Sequence, residues 1–236
     1  MTDIAASCPS PWRQAFLLSI PILVGYVPIG IGFGVLWVQQ GLPAWGAPLL
    51  GLIVYAGASQ FLAAGMLAAG QGPVEIALAT LTLNARHAVY GLAFLDRFRT
   101  WNAAKAYFAF ALTDETYAVL AATPPAGNRS CDEGILWRVA MLNQGYWVVG
   151  CAIGAVAGNF IPAGIQGLDF ALTALFIVLL LEQTRTRRKA LAALVGAAVA
   201  VAGAAVFGTS NTLLPIMAAA LAAVAIMDRG GCHARR

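Results

Sequence analysis

Charged side chains are scarce in this sequence. Of its 236 residues, 10% are Asp, Glu, Lys or Arg, whereas 60% are hydrophobic and the mean hydropathy is +0.78. Soluble domains carry about 25% charged residues, so this chain has too few to cover a soluble surface. The composition excludes a soluble globular protein and predicts an integral membrane protein.

Several motifs are also missing. No segment alternates polar and apolar residues, so the membrane spans are predicted to be helices rather than barrel strands. Without a GxxxxGK[ST] loop, ATP-driven pumping within this chain is excluded, and the lack of HExxH and GxSxG weakens an intramembrane protease. The four cysteines have no CxxC spacing, so neither a metal site nor a disulfide framework is indicated. No enzyme activity and no cofactor are expected.

Long apolar runs are what the chain does contain. A helix needs about 20 apolar residues to cross a bilayer. By that measure the sequence has eight segments: 15–38, 45–69, 74–95, 105–122, 136–157, 168–183, 190–207 and 213–227. The predicted fold is therefore all-α, a polytopic membrane protein of about eight hydrophobic helices, seven or eight of them spanning. One transmembrane transporter domain is predicted over residues 1–236.

Basic residues between the segments predict the orientation. With eight spans and a cytoplasmic amino terminus, ten Lys and Arg residues lie inside, and Arg97, Arg99 and Lys105 lie outside. Both termini are therefore predicted to be cytoplasmic. The three outside residues are an anomaly, which would disappear if segments two and six each entered and left the membrane on one side.

Two stretches of the chain resemble each other. "GYVPIGIGFG" (25–34) and "GYWVVGCAIG" (145–154) share Gly-Tyr and two further glycines at an offset of 120. Many transporters are built from internal repeats with the substrate between the halves. The alternative is coincidence in a chain whose 25 glycines serve close helix packing.

An arginine interrupts the third segment, in "TLTLNARHAVYGLAFL" (80–95), beside Asn84 and His87. Arg86 lies roughly 18 Å of helix from one end of the segment and roughly 14 Å from the other. An unpaired arginine at that depth costs at least ~2.5–3.5 kcal/mol. A buried partner or a function is therefore expected for it.

Asp114 and Glu115 interrupt the fourth segment and are the candidate partners. Adjacent residues point about 100° apart on a helix, so at most one of the two acids faces Arg86. The other is available as a proton site, a contact to a substrate amino group, or a water-lined position. Thr113 is predicted to cap a helix that restarts in mid-membrane.

Two further polar clusters are "YAGASQF" (55–61) and "LNQGYW" (142–147). Glycine beside Ser, Gln and Asn favours a locally unwound membrane helix, whose free backbone groups meet a polar ligand. The candidate substrate-binding residues are Tyr55, Gly57, Ser59, Gln60, Asn84, Arg86, His87, Asp114, Glu115, Asn143 and Gln144. In the alternative interpretation, these side chains only join helices through hydrogen bonds worth ~0.6–2 kcal/mol each.

The motifs also occur in a recognisable order: "GYVPIGIGFGVL", "YAGASQF", "LNARHAVYGL", "LTDETYA", "NQGYW", then "LDFALTALF" followed by basic residues. This set, which covers nearly the whole chain, resembles the AzlC family of branched-chain amino acid permeases. The resemblance implies a multi-pass protein of the bacterial inner membrane that exports branched-chain and similar amino acids. It also implies a small membrane partner protein of the AzlD type.

The sequence is therefore interpreted as a secondary-active exporter of leucine, isoleucine, valine or a related apolar amino acid. Asp114 or Glu115 is the candidate for the substrate ammonium, and Arg86 or freed backbone amides for the carboxylate. Proton coupling through Asp114, Glu115 or His87 is the hypothesis for the energy source. The alternatives are an exporter of another small amphiphilic metabolite, a non-transporting membrane assembly subunit, and a passive channel.

Overall fold

The computed structural model describes residues 10–85, 87, 90, 94–97, 102–125, 129–161, 177, 181, 187–207 and 219. All regular elements among these residues are helical, as predicted. A short 3₁₀ helix covers Leu95–Arg97. The α-helices are α1 (Pro11–Gln39), α2 (Gly46–Ile53), α3 (Gly57–Ala68), α4 (Pro73–Asn84), α5 (Ala103–Phe110), α6 (Asp114–Ala121), α7 (Arg129–Gly158) and α8 (Arg187–Phe207).

The chain divides into two compact units. The second contains Ala69–Ala79 and Gln166–Arg236. In it, α4 begins with a proline at the first helical position, and the Glu75 carboxylate accepts a hydrogen bond of 2.6 Å from the Gly72 N–H. This arrangement satisfies one backbone donor at the start of the helix. The single domain over the whole chain stays a prediction.

The first unit contains Met1–Ala68 and Thr80–Ile165, and its framework is the pair α1 and α7. Both helices are long and apolar enough to cross a membrane. They run parallel. At one end the rings of Trp12 and Trp137 lie 6.1 Å apart, and at the other Gln39 Nε2 donates to the Gly158 carbonyl at 3.1 Å. We call these the Pro11 end and the Gln39 end.

Glycines form the contact between α1 and α7. A side chain on Gly34 would overlap the Cys151 carbonyl, and one on Gly154 would overlap the Ile31 carbonyl. Gly30 likewise lies against the α7 backbone. The two similar stretches at offset 120 thus pack on each other as one parallel helix pair, in which small residues let the backbones approach closely. A repeat of the remaining segments stays a prediction.

The second segment folds back on itself between α2 and α3. At the Gln39 end, Trp37 Nε1 donates to the Pro43 carbonyl at 2.8 Å, just before α2 begins. The chain then reaches the middle of α1, where the rings of Tyr55 and Tyr26 lie 6.5 Å apart. From there α3 leads back, because the Phe61 ring contacts Phe33, one to two turns nearer the Gln39 end.

The fourth segment folds back in the opposite direction. Arg97 lies at the Pro11 end, where its guanidinium binds the Asp132 carboxylate through two contacts of 2.7 and 2.5 Å. The same guanidinium donates to the Leu120 carbonyl at the end of α6 at 3.1 Å. The five chain steps from Arg97 to Asn102 span at most about 18 Å. The start of α5 and the end of α6 therefore both lie toward the Pro11 end.

The prediction of seven or eight spanning segments is not confirmed for segments two and four. Each consists of two half-helices of 8 to 12 residues, about 12–18 Å long, which is too short to cross a hydrocarbon core of about 30 Å. The alternative in which segment two returns to its own side is supported. Segment six lies outside the described residues except for Ile177 and Leu181. Arg97 lies beside the start of α7, on the side where the preceding loop is predicted to be cytoplasmic. It therefore no longer counts among the three basic residues predicted to lie outside.

Two of the four cysteines, Cys131 and Cys151, lie among the described residues. Cys131, in the first turn of α7, is disulfide-bonded, and its partner lies outside the described residues. Cys151 is free and buried. A single disulfide between residues distant in sequence leaves no local spacing signal.

Candidate functional site

The turns of the two hairpins meet at Tyr26, near the middle of α1. Its hydroxyl lies 2.7 Å from Thr113 Oγ1, in the turn between α5 and α6. Its ring packs edge-on against Tyr55, in the turn between α2 and α3. Tyr26 and Tyr55 are 7% and 3% exposed. The predicted breaks in segments two and four are confirmed, and they lie together in the interior of the first unit.

A chain of hydrogen bonds runs through this meeting point. Glu115 Oε2 accepts from the Tyr26 hydroxyl at 2.7 Å, so the Tyr26 oxygen accepts from Thr113. Thr113 in turn accepts from the Thr116 hydroxyl at 3.0 Å. Asn143 Nδ2 donates to Thr116 Oγ1 at 2.9 Å. An ionised carboxylate only accepts and an amide nitrogen only donates, so every hydrogen in this hydroxyl relay points toward Glu115.

The relay connects an accessible acid to a buried amide. Glu115 is exposed on the surface of the first unit, whereas Asn143 is completely buried. Thr113 also accepts from the Thr116 N–H at 3.4 Å and caps α6, as predicted. If Glu115 gains a proton, it becomes a donor and Tyr26 is free to donate elsewhere. The protonation state of Glu115 therefore sets the direction of hydrogen bonding at the break between α5 and α6.

Asp114 faces a different partner. Its Oδ1 lies 3.5 Å from His87 Nε2, and the two side chains are 36% and 23% exposed. The two adjacent acids thus point to different neighbours, as their helical spacing predicts. Arg86 lies outside the described residues, and its pairing with an acid stays a prediction.

The amino end of α3 gathers three predicted residues around Trp147 of α7. The ring of Trp147 covers Gly57, where an added Cβ would lie 3.1 Å from the ring. The indole N–H donates to Gln60 Oε1 at 2.7 Å. The neighbouring Ser59 is fully buried and donates to Asn84 Oδ1 at 2.6 Å. These contacts place Gly57, Ser59 and Gln60 at one end of a half-helix in the protein interior.

Gln144 joins the two hairpins to α7. It accepts from the Tyr107 hydroxyl at 2.5 Å and donates to the Leu52 carbonyl at 2.8 Å. Because a broken helix leaves carbonyls without helical partners, this amide satisfies one of them. The structure thus gives Gln144 the role of joining helices.

The predicted unwinding of the fifth segment is wrong. Helix α7 is continuous from Arg129 to Gly158. Asn143 and Gln144 bond to other elements through their side chains and leave the α7 backbone undisturbed. Gly145 faces open space, so it marks no close approach or turn.

Sequence reasoning missed several residues of the site. Tyr26, Thr116 and Trp147 are ordinary members of apolar segments, and their hydrogen bonds reach across 27 to 89 residues. Tyr26 had one available signal, because it belongs to the stretch repeated at offset 120. The buried pair of Arg97 and Asp132 had none, since the two residues were assigned to opposite sides of the membrane.

A cavity of about 350 Å³ lies at the Pro11 end of the first unit. Its polar lining comes from Gln14, Arg97, Thr123 and Asp132, and its apolar lining includes Leu17 and Ile135. The paired charges of Arg97 and Asp132 therefore face a largely apolar space at the end where the α5–α6 hairpin enters.

An apolar pair of long helices, with broken hairpins meeting at buried polar groups, is typical of helical membrane transport proteins. Comparison with known proteins agrees. The family model described as AzlC protein matches residues 21–161. The chain belongs to the AzlC family.

Three relatives illustrate this likeness. The branched-chain amino acid transport protein AzlC of Bacillus subtilis is 34% identical over 92% of this chain and 85% of its own length. An uncharacterised membrane protein of Helicobacter pylori is 37% identical, covering 86% and 89%. The inner membrane protein YgaZ of Escherichia coli is 34% identical, covering 80% and 82%. No solved structure matches this chain.

Proposed function

We propose that this protein exports branched-chain or related apolar amino acids across the bacterial inner membrane by secondary-active transport. The observation that carries the proposal is the meeting of two oppositely directed half-helix hairpins at Tyr26. Broken helices at mid-membrane present free backbone groups to a substrate, and this is how many secondary transporters build their sites. The name of the Bacillus subtilis relative supports the substrate class.

The acids at the start of α6 are the proposed site for the substrate ammonium. Glu115 and Asp114 lie beside the break and are accessible in the first unit. An ammonium group close to either carboxylate would form a charge-assisted hydrogen bond, which is stronger than a neutral one. The apolar side chain would lie against the surrounding apolar residues.

The proposed energy source is the proton gradient. His87 and the two acids are the candidate proton carriers, as the sequence predicts. The hydroxyl relay supports Glu115 in particular, because it joins that acid to the break between α5 and α6. A change in protonation at Glu115 would reorient the relay and alter the substrate site.

The proposal includes a multi-pass arrangement with both termini in the cytoplasm and a small membrane partner of the AzlD type. The number of complete crossings is lower than eight, since two segments return to the side they came from. Because a partner is proposed, transport is measured in cells that co-express it and again in cells that lack it.

Valine efflux from preloaded cells tests the role of the acids. We expect Asp114→Asn and Glu115→Gln each to lower the initial rate about tenfold or more, since losing a charged contact of about 1.5–3 kcal/mol has that effect. Asp96→Asn is the control, because Asp96 is exposed and outside the cluster. Wild-type efflux in both acid variants, at equal membrane levels, would remove the carboxylates from the mechanism.

The relay predicts that Tyr26 and Glu115 act as a unit. We expect Tyr26→Phe to reduce efflux, because it removes the hydroxyl that connects Glu115 to Thr113 by hydrogen bonds. In the double variant with Glu115→Gln, the loss should not exceed that of Glu115→Gln alone. Additive losses would show that the two residues work independently.

The matched control for this variant is Tyr146→Phe. The Tyr146 hydroxyl lies 3.0 Å from Ser19 Oγ and joins α7 to α1. It should lose a comparable interhelical hydrogen bond but keep the efflux rate.

A further inference from the structure

We propose that the amino end of α3 binds the carboxylate group of the transported amino acid. This inference rests on the proposed function and assigns one half of the substrate to a particular subsite. The subsite consists of the first N–H groups of α3 and the side chains of Tyr55 and Gln60.

The backbone provides the first donors. The first four N–H groups of an α-helix have no acceptor within the helix. In α3, the Gln60 N–H bonds to the Ala56 carbonyl at 2.9 Å. Among the described residues no acceptor meets the N–H groups of Gly57, Ala58 or Ser59. These N–H groups carry the positive end of the half-helix dipole, which favours an anion.

The side chain of Gln60 provides another donor. It is 1% exposed, and its Oε1 accepts from the Trp147 indole. Because an indole N–H can only donate, the atom facing Trp147 must be the oxygen, and the remaining atom is the amide nitrogen. That nitrogen is buried without a partner in the described structure. Helical side chains lean toward the amino end, and the Trp147 ring that holds this amide also covers Gly57.

Tyr55 provides the third donor, at the cost of backbone strain. Its φ of 42° lies in the left-handed region, which only glycine adopts freely. The residue is 3% exposed and lies beside Tyr26 and Thr113. Its hydroxyl lies near the hydroxyls of Tyr26 and Thr113 but makes no hydrogen bond of acceptable geometry with any described atom. A strained residue that holds an unpartnered hydroxyl in the interior is typical of a binding site rather than of a packed core.

The chemistry of the ligand follows from these groups. The subsite offers an amide N–H₂, a hydroxyl and three backbone N–H groups, all able to donate. The carboxylates of Asp114 and Glu115 lie in the other hairpin, across Tyr26 and Thr113. A zwitterion with its carboxylate at α3 and its ammonium near α6 would satisfy both sets of groups.

Binding of L-leucine and L-leucinamide to the purified full-length protein tests this assignment. The two ligands have the same ammonium and side chain, but leucinamide carries a neutral amide in place of the carboxylate. We expect Tyr55→Phe to weaken leucine binding about tenfold or more, and leucinamide binding by less than twofold. Gln60→Glu should lower leucine affinity further, because it keeps the oxygen for Trp147 and replaces the donor by a negative charge.

Folding is checked in the same samples. Because the Tyr55 hydroxyl makes no well-formed hydrogen bond in the described structure, Tyr55→Phe should change the melting temperature little. Tyr107→Phe is the matched control, because it removes a half-buried hydroxyl that bonds to Gln144 and should change neither ligand's affinity selectively.

The outcomes separate this inference from the proposed function. A loss confined to leucine supports the carboxylate subsite. Equal losses for both ligands, or none, in a wild-type protein that binds leucine would overturn the subsite and leave the proposed function standing. A wild-type protein that binds neither leucine nor valine would overturn both.

Discussion

Gly154→Leu should abolish the accumulation of folded protein in the membrane. Gly154 sits where α7 crosses α1, and any side chain there would overlap the Ile31 carbonyl. Backbone atoms cannot rotate away as a flexible side chain can, so the two helices would have to separate. Close approach through small residues is what holds such a pair together, and separation would remove packing along the whole framework of the first unit.

The smaller substitution Gly154→Ala should still destabilise the protein. Overpacking typically costs about 1–3 kcal/mol, which for a chain of this size lowers the melting temperature by about 2–12 °C. The control is Gly145, on the same helix, where an added Cβ would meet nothing within 4 Å. Gly145→Ala and Gly145→Leu should leave accumulation and melting temperature near those of the wild type. Equal effects at the two glycines would mean that α1 and α7 do not pack as described.

Removing either partner of the Arg97–Asp132 pair should also destabilise the protein strongly. Their side chains are 15% and 4% exposed and make two contacts with each other. A buried charge left without its partner costs about 3–5 kcal/mol, a large share of a typical stability of 5–15 kcal/mol. We therefore expect Asp132→Asn and Arg97→Met each to lower the membrane level and the melting temperature markedly.

A double variant separates charge pairing from packing. Replacing both partners of a buried ion pair by apolar residues is often neutral, so Arg97→Met with Asp132→Leu should be more stable than either single variant. Asp96→Asn, next in sequence but exposed, should have no effect. If the double variant is less stable than both singles, Arg97 and Asp132 each stabilise the fold mainly through contacts outside their charge pair, such as the bonds of Arg97 to the carbonyls of Leu120 and Thr123.

The breaks in the helices were predictable where the cause is local. Thr113 is a good helix cap, and it stands directly before two acids that favour the first turn of a helix. "YAGASQF" has a glycine among polar residues, and the chain does leave the helix just before Gly57. The same reasoning failed at "LNQGYW", because the partners of Asn143 and Gln144 come from other helices and leave α7 intact.

The direction of the chain after each break was not predictable. A hydropathy profile is the same for a segment that crosses the membrane and for two half-helices that return. The return of α6 toward the Pro11 end depends on Arg97, which contacts residues 23 to 35 positions away. Only such contacts show that the chain comes back, and they leave no trace in local composition.

The sequence by itself determined the membrane environment, the breaks in segments two and four, and the acids that interrupt segment four. These features depend on the polarity and conformational preferences of residues next to each other in the chain. The tertiary structure decided which acid bonds to Tyr26, which atoms remain without partners at α3, and which glycines let α1 and α7 touch. These outcomes depend on hydrogen bonds and close contacts between residues about 90 to 120 positions apart, whose strength is set by distance in space.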